Sequence, residues 1–383
     1  MPLVLVAGAL ANKPGNGGEA WVRISWVLGL RRLGFEVHLV EEISSGDCVD
    51  KGGGATSPSL SVNARFFREV TEAMGLGSEA TLVCRETRET IGLSWSDLAA
   101  RAASADALVN LSGNLREASL VGAPGMRIYV DLDPVYTQAW HAAGALDGAL
   151  RRHDHHYTVG QNVRALGPRR DGIDWRPIAP PVLLEHWPVA PGEGEGAFTT
   201  VASWRGAFGS LELDGRTLGR KAHEFRRVMD LPGRVAWPLE IALDIHPADR
   251  GDLDALRAAG WRIVDPRGVA ATPGAFRDYV RGSSAEFSVA QGAYVETRSG
   301  WLSDRTAHYL ASGRPALIQD TGAALGSGEG LVTFSSVEEA VAGAARIAGD
   351  YAAHREAARA LAERHLDSDV VLARFAEEVG LAP

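Results

Sequence analysis

The chain has 383 residues, 45% hydrophobic and 23% charged, which is typical of a globular protein long enough for two domains. The formal net charge of -9 and the lack of a long basic run argue against a broad nucleic-acid interface. No apolar run reaches the roughly 18 residues of a membrane span, and Cys48 and Cys84 lack metal-ligand spacing, so we expect a cytoplasmic protein without nucleic-acid partners or a zinc site.

The first segment predicts a strand, a glycine-rich loop, a helix and a second strand, which together make a βαβ unit. These elements are residues 3–7, 8–18, 19–33 and 35–40. Ligands of such units bind at the carboxyl ends of the strands, so we expect Gly17 and Gly18 to face a cleft. The glycines do not have GxGxxG spacing, so the dinucleotide-binding fingerprint is absent.

Two aspartates follow a later strand of the same half. The periodicity predicts strands at residues 107–111, 126–130 and 157–159 and helices at residues 59–74 and 94–103. Asp131 and Asp133 follow the second of these strands, and at that edge a carboxylate can act as a base or hold sugar hydroxyls. The open alternative is that Asp133 only caps the next helix, which begins near Val135.

The segment after residue 190 predicts a second α/β half. Residues 191–196 are a polar, glycine-rich linker, and residues 206–219 are predicted to form a loop. Strands are predicted at residues 198–202, 239–243, 261–264, 286–289, 316–318 and 331–334. Helices are predicted at residues 220–229, 247–259, 273–280, 337–361 and 367–379. This alternation in both halves predicts two doubly wound parallel sheets.

The stretch from Thr297 to Gly322 predicts an anion site. Gly300 belongs to a turn, Ser303 is a suitable N-cap, and Asp304 occupies the first turn of the helix that follows. A helix N-terminus after a glycine-containing loop presents unpaired amides to an anion such as a phosphate. The alternative is an ordinary capped helix of an α/β protein.

This layout resembles the GT-B fold of bacterial glycosyltransferases, in which two Rossmann-like domains face each other across a cleft. The resemblance implies an acceptor domain at residues 1–190, to which a C-terminal helix at residues 366–383 returns. It implies a nucleotide-sugar donor domain at residues 197–365. The predominance of Arg among the 39 basic residues also suggests a GC-rich bacterial genome.

The second half resembles in particular the donor domain of GT4-like enzymes, which are also grouped as family 1 glycosyltransferases. Arg205 and Lys221 are similar to the Arg and Lys pair that binds the donor diphosphate in that group. Residues 310–315 are similar to the end of its donor-site helix, with an Ala-x-Gly-x-Pro pattern. The chain departs from the group's pair of glutamates, because His308 stands where the second is expected. Asp304 is the candidate replacement.

The resemblance implies transfer of a sugar of hexosyl type from a nucleotide donor to a small-molecule or glycan acceptor. The implied catalytic residues are Asp131, Asp133, Arg205 and Lys221. The implied donor-binding residues are Gly17, Gly18, Arg205, Lys221, Gly300, Ser303, Asp304, Arg305 and Thr306. In these roles Arg205 and Lys221 supply charge to the leaving diphosphate, and Arg305 adds a bidentate clamp.

The resemblance implies no cofactor and no metal. The donor is itself a substrate, with UDP or dTDP as the expected nucleotide, and fixed cations take the place of a metal ion. Histidines at positions 153, 155 and 156 are clustered, but nothing nearby completes a metal site. We expect a monomer or a homodimer. The alternatives are a nucleotide-sugar epimerase of the same fold, a nucleotide-binding protein with a degenerate donor site, and a nucleotide-dependent dehydrogenase, against which the missing GxGxxG counts.

Overall fold

The computed structural model describes residues 1–163, 172–323 and 325–382. The strands before residue 190 are β1 (Leu3–Ala7), β2 (Glu36–Ile43), β3 (Ala80–Cys84), β4 (Thr90–Ile91), β5 (Ala107–Leu111), β6 (Met126–Asp131), β7 (His155–Thr158) and β8 (Trp175–Pro177). They form one sheet in the order β4-β3-β2-β1-β5-β6-β7-β8. Neighbouring strands are parallel except for β3 and β4, so the chain changes direction of winding between β1 and β5.

The helices of this first part cover the sheet. They are α1 (Gly17–Arg32), α2 (Val62–Ala73), α3 (Trp95–Ser104), α4 (Ala118–Val121) and α5 (Tyr136–Ala142). The Asn16 side chain caps α1 by accepting a hydrogen bond from the Glu19 amide at 3.1 Å. Trp21 and Trp26 are both buried, because α1 packs against the first sheet on one side and against later helices on the other.

The second part is built on a six-stranded parallel sheet. The strands of the second part are β9 (Phe198–Ser203), β10 (Leu211–Leu213), β11 (Arg216–Leu218), β12 (Leu239–Asp244), β13 (Arg262–Val264), β14 (Ala285–Ser288), β15 (Ala316–Gln319) and β16 (Leu331–Phe334). The order is β13-β12-β9-β14-β15-β16, and β10 and β11 form a separate antiparallel hairpin. This is the doubly wound arrangement, with its switch point between β9 and β14.

The helices of the second part end with one that returns to the first. They are α6 (Lys221–Arg227), α7 (Arg250–Ala258), α8 (Pro266–Val269), α9 (Pro273–Gly282), α10 (Gly292–Glu296), α11 (Asp304–Ala311), α12 (Val337–Gly349), α13 (Tyr351–His365) and α14 (Ser368–Glu378). The Phe375 ring of α14 packs edge-on against Trp26 at 5.2 Å, and Asp369 pairs with Arg32 at 2.8 Å. The predicted return of the last helix to the first half is confirmed.

Some elements of the structure were not predicted, and two predicted elements differ from it. Strand β3 was not predicted, although its ATLVC sequence is entirely buried. Residues 206–219, predicted as a loop, contain the hairpin β10–β11, whose turn residues Asp214 and Gly215 have φ values of 53° and 72°. An Asp-Gly pair is the usual turn of a two-residue hairpin, so the signal was present in the sequence. The predicted helix 337–361 is two helices, because Asp350 leaves the helical conformation with φ -138° and caps α13.

The glycine-rich linker is held in place by side chains of the second part. The buried Arg314 guanidinium donates to the carbonyl oxygens of Pro191 at 3.3 Å and Gly192 at 3.0 Å. The Tyr351 hydroxyl donates to the Glu193 carbonyl oxygen at 2.9 Å. Composition alone suggested a free linker, but these bonds fix its backbone against the second sheet. Within the described residues, no helix has both the length and the apolar character needed to cross a membrane.

Candidate functional site

Charged side chains from both parts converge where the carboxyl ends of the two sheets face each other. Glu19 and Asp133 come from the first part, and Lys221, Asp304 and Arg305 come from the second. The charge of Glu19 influences the pKa values of Asp133, Lys221 and Asp304, so these groups lie within electrostatic reach of one another. Such a cluster of titratable groups in a cleft is a candidate functional site.

Glu19 is the fixed anion of this cluster. Its carboxylate pairs with Lys13 at 3.5 Å and with Arg23 on the same helix. Burial raises the pKa of Glu19, but the charges of Arg23 and Lys13 outweigh it and lower the pKa to about 2. Neither Glu19 nor Lys13 is among the predicted site residues. The rarity of lysine could have drawn attention to Lys13, because the only lysines in the sequence are Lys13, Lys51 and Lys221.

Asp131 shapes the loop after β6 and does not line the cleft. It is fully buried and accepts hydrogen bonds from the Thr137 hydroxyl at 2.6 Å and the Thr158 hydroxyl at 2.7 Å. It also accepts from the Gln138 side chain at 2.9 Å and from the Asp133 amide at 2.9 Å. These bonds use the acceptor capacity of its carboxylate. The predicted role of Asp131 in catalysis is therefore corrected to a role in positioning the loop.

Asp133, two residues later, is turned towards the second part. The Tyr294 hydroxyl donates to its Oδ1 at 3.4 Å. Burial raises the pKa of Asp133 to about 7, helped by the charges of Asp131 and Glu19. Val135 has φ 73°, a strained conformation for a β-branched residue, so this loop is held by the surrounding structure. The Asp133 side chain accepts no helix-capping bond, so the capping alternative is not supported.

Lys221 and Arg220 are cations whose charged groups have no partner among the described residues. The Lys221 amide donates to Gln291 Oε1 at 2.9 Å, but its ε-amino group has no hydrogen bond or ion pair within the described chain. Burial, followed by the charge of Arg305, lowers the pKa of Lys221 to about 7. The Arg220 guanidinium, which the sequence prediction omitted, likewise has no ion-pair partner among these residues, and its charge acts on Tyr136.

Two predicted arginine ligands are already bound by the protein. Arg205 binds Asp249 through two hydrogen bonds of 2.6 Å and 3.0 Å, and its side chain is 44% exposed. The Arg305 guanidinium donates to Glu286 at 2.6 Å, to the Val201 carbonyl oxygen at 2.8 Å and to the Ser288 hydroxyl at 2.6 Å. The Arg305 guanidinium is therefore not free to form the predicted clamp, because a bidentate site needs an open fork of donors. The charge that Arg205 was predicted to supply to the diphosphate is paired with Asp249.

A small pocket lies beneath the start of α11, and we call it the α11 pocket. It is lined by Ser288, Ala290, Trp301, Ser303, Thr306, Ile318, Gln319 and Thr321. Ser303 caps the helix as predicted, because its hydroxyl accepts from the Arg305 amide at 3.3 Å. The cavity volume of this pocket is about 10 Å³, which is room for one group the size of a water molecule.

Asp304 stands at the first turn of α11, on the cleft side. Burial and the charge of Glu19 raise the pKa of Asp304 to about 6. Its carboxylate makes no side-chain hydrogen bond or ion pair with another described residue, so it is available to a ligand hydroxyl. A negatively charged phosphate at this place would be repelled, as would any anion close to Glu19.

The predicted glycines allow the two parts to approach each other. A Cβ on Gly17 would lie 2.1 Å from the Thr272 carbonyl oxygen, and the Gly17 amide donates to the Ala270 carbonyl oxygen at 2.7 Å. A Cβ on Gly18 would lie 3.1 Å from the Phe276 ring. The prediction that Gly17 and Gly18 bind the donor is therefore corrected, because Gly17 packs against the segment between α8 and α9 and Gly18 packs against α9.

Asn162 of the first part forms hydrogen bonds with the loops on either side of α11 and β15. Its side-chain amide donates to the carbonyl oxygens of Arg298 at 2.9 Å and Gly322 at 2.8 Å. Its backbone amide donates to the Ser299 carbonyl oxygen at 2.9 Å. A Cβ on Gly300 would lie 2.9 Å from this amide, so Gly300 also serves the contact between the parts.

Replacing Asn162 with aspartate should lower the melting temperature by several degrees, because a carboxylate would face two carbonyl oxygens instead of donating to them. Thermal denaturation measures this effect. Asn114→Asp is the matched control, since the Asn114 amide donates only to Leu111 within the same loop, at 2.6 Å. Equal losses in both variants would show that the contact between the parts is not what Asn162 stabilises.

His308 does not take the place of a ribose-binding glutamate. Its ring stacks on Trp187 at 4.3 Å and lies 5.7 Å from the ring of Phe276, among buried aromatic side chains. Burial lowers the pKa of His308 to about 3, so the ring is neutral at physiological pH. It belongs to the contact between α11, Trp187 and α9, and it does not line the α11 pocket.

The described residues offer no cluster for a metal ion. Among residues 1–163, 172–323 and 325–382, no group of three or more His, Cys, Asp or Glu side chains is arranged to hold one. The clustered histidines bind backbone instead, because His153 Nδ1 bonds the Ala149 carbonyl oxygen at 2.9 Å and His156 Nε2 bonds that of Leu150 at 2.8 Å.

Sequence comparison finds no relative for this chain, whereas structural comparison finds several. No protein-family profile and no curated protein matches it. It is similar to an alpha-glucosyltransferase in complex with UDP, at 12% identity and TM-score 0.62, over 99% of this chain and 100% of that one. It is similar to Anabaena HepE in complex with UDP-glucose, at 10% identity and TM-score 0.61, over 99% and 100%. It is similar to the pneumococcal O-GlcNAc transferase GtfA in complex with UDP and GlcNAc, at 8% identity and TM-score 0.54, over 99% and 98%. The chain thus has the GT-B fold, with two Rossmann-like doubly wound units across a cleft and a last helix that returns to the first.

Proposed function

We propose that this protein is a glycosyltransferase that moves a sugar from a nucleotide-diphosphate donor to an acceptor bound in the cleft. The observation that carries the proposal is the pair of cations Arg220 and Lys221 at the switch-point side of the second sheet, which have no ion-pair partner in the part of the chain that the structure describes. Solved glycosyltransferases of the same fold hold UDP or UDP-glucose. We place the donor on residues 197–365 and the acceptor on residues 1–190, with the C-terminal helix completing the acceptor side.

The donor diphosphate would lie between α6 and the start of α11. Negative charge grows on the leaving diphosphate as the glycosidic bond breaks, and fixed donors aimed at that charge lower the barrier. Arg220 supplies a full positive charge there, and Lys221 supplies a second one when its amine is protonated. Asp304 would accept from a hydroxyl of the donor. These cations can do the work of a metal ion, so we expect transfer without a metal or a cofactor.

Asp133 is the proposed base that removes the proton from the acceptor hydroxyl. A base works best when its pKa lies near the operating pH, and burial raises the pKa of Asp133 to about 7. Lys13 and Glu19 lie on the same side of the cleft and would orient the acceptor. A base on the acceptor side corresponds to direct displacement with inversion at the anomeric carbon.

The dehydrogenase alternative is disfavoured by what occupies the loop after β1. In dinucleotide-binding folds this loop presents amides to a pyrophosphate, and an acid at the end of β2 binds the ribose. Here the buried Glu41 carboxylate accepts from the amides of Leu10 at 2.7 Å, Ala11 at 2.7 Å and Asn12 at 2.8 Å. Both the loop amides and the acid are therefore used within the protein.

Isothermal titration calorimetry with UDP, dTDP and their glucose conjugates tests the proposal. We expect at least one nucleotide to bind at micromolar concentration and its sugar conjugate to be hydrolysed slowly without acceptor. Failure of all four to bind would overturn the donor site. Binding without hydrolysis, or without transfer to any acceptor of a glycan and small-molecule panel, would leave a nucleotide-binding protein, and interconversion of the donor sugar would identify an epimerase.

A further inference from the structure

A buried hydroxyl of α11 has no partner. Thr306 is 1% exposed, and its Oγ1 makes no hydrogen bond with any described residue. A threonine hydroxyl inside a helix usually donates to a carbonyl one turn earlier, as Thr71 does to the Phe67 carbonyl oxygen at 2.9 Å. A buried polar group without a partner destabilises the folded chain, so its presence calls for an explanation.

The groups around Thr306 suit an uncharged ligand group that both donates and accepts. The hydroxyls of Ser288 and Ser303 each accept a hydrogen bond from Arg305 and keep their own hydrogens to donate. The charge of Arg305 is neutralised by its ion pair with the buried Glu286, at 2.6 Å. The side chains that line the α11 pocket are all neutral, so a doubly charged phosphate gains no cation inside it.

We propose that the α11 pocket binds one hydroxyl of the nucleotide sugar and that Thr306 is the residue that bonds it. The cavity volume of about 10 Å³ has room for a single hydroxyl group and not for a nucleotide. The hydroxyl belongs either to the ribose or to the transferred sugar, since both carry the same chemistry. This inference rests on the proposed donor site. It assigns recognition of a donor hydroxyl to Thr306 in a chain that lacks the pair of glutamates.

Binding of deoxy analogues measures the role directly. UDP and UDP-glucose are titrated by calorimetry into the wild type and Thr306→Val, next to 2′-deoxy-UDP, 3′-deoxy-UDP and UDP-glucose analogues that lack single sugar hydroxyls. We expect one analogue to bind the wild type at least about 10-fold more weakly than its parent, because a site built for a hydroxyl is left unpaired without it. Thr306→Val should bind parent and analogue alike, and Thr306→Ser should restore the difference.

The analogue that loses affinity identifies the source of the hydroxyl, ribose or sugar. If the wild type binds UDP and UDP-glucose but treats every analogue like its parent, the inference is overturned while the donor site stands. If neither UDP nor UDP-glucose binds, the proposed function fails first, and the inference falls with it.

A second measurement does not depend on any ligand. Thr306→Val should leave the melting temperature unchanged or raise it, because the lost hydroxyl bonds nothing in the protein. Thr71→Val is the matched control, since it removes a buried helical hydroxyl that does bond the backbone, and it should lower the melting temperature by about 2 °C. A loss of the same size in Thr306→Val would assign that hydroxyl a structural bond and overturn the inference.

Discussion

Replacing Lys221 with methionine should raise the dissociation constant for UDP about 30-fold or more, because a charge-assisted contact contributes about 2 kcal/mol. Methionine keeps the apolar stem and removes only the cation. A bound diphosphate would also favour the protonated amine, whose pKa is lowered to about 7 in the free protein. Binding should therefore take up a proton near pH 7 and weaken at higher pH. Calorimetry in buffers of different ionisation enthalpy measures both effects.

Arg205→Ala is the control for this result. The Arg205 guanidinium is bound to Asp249 through two hydrogen bonds, so its removal should change the UDP dissociation constant less than about threefold. Arg220→Ala should behave like Lys221→Met, since that guanidinium has no ion-pair partner in the described chain. A loss of affinity in Arg205→Ala as large as that in Lys221→Met would contradict the placement of the diphosphate beside α6.

The order of elements could be predicted because each strand is short, apolar and bounded by turn residues. Strand β5 (Ala107–Leu111) and strand β16 (Leu331–Phe334) lie where periodicity placed them. Strand β3 was missed although its buried ATLVC sequence is as short and as apolar as that of β5, so the signal for it was present. The fixed conformation of the linker could not be predicted, because Arg314, which binds the Pro191 carbonyl oxygen, lies over a hundred positions away in the sequence.

The site was harder to predict than the fold because residue type does not reveal a partner. Arg205 and Arg220 look equivalent in the sequence, but only the fold brings Asp249 to Arg205. Asp131 and Asp133 are also alike, with one residue between them. Asp131 is the last residue of β6, where Thr137 and Thr158 reach its carboxylate, whereas Asp133 lies beyond the strand in the loop at the cleft.

Gly17 and Gly300 also show that a local sequence pattern does not reveal which residue a side chain or backbone contacts. A glycine-rich loop before a helix suggests an anion site, and both residues fit that pattern. The structure uses them for close contact, since Gly17 meets Thr272 and Gly300 meets Asn162 across the two parts. The partner of a glycine is backbone from the other half of the chain, and no local pattern encodes it.

Replacing Asp133 with asparagine should lower the rate of sugar transfer by about 10²- to 10⁴-fold, the usual contribution of a general base. The wild-type kcat/KM should rise with pH through about 7, where Asp133 loses its proton, and then level off. The variant should lose this rise. Steady-state kinetics between pH 5 and pH 9 measures the profile, and an unchanged pH dependence in Asp133→Asn would place the base on another residue.

The same substitution should make the protein more stable at high pH, which separates a functional carboxylate from a structural one. An unfolded aspartate ionises near pH 4, whereas the folded Asp133 keeps its proton until about pH 7. Stability linked to this group is therefore present below pH 4 and lost as pH rises to 7. Asparagine stays neutral, so the melting temperature of Asp133→Asn should exceed that of the wild type at pH 8 and match it near pH 4.

Asp131→Asn should be less stable than the wild type at pH 8, because its amide group cannot accept the bonds from Thr137, Thr158 and Gln138 together. Equal stability losses in the two variants would mean that Asp133, like Asp131, serves the fold and not the reaction.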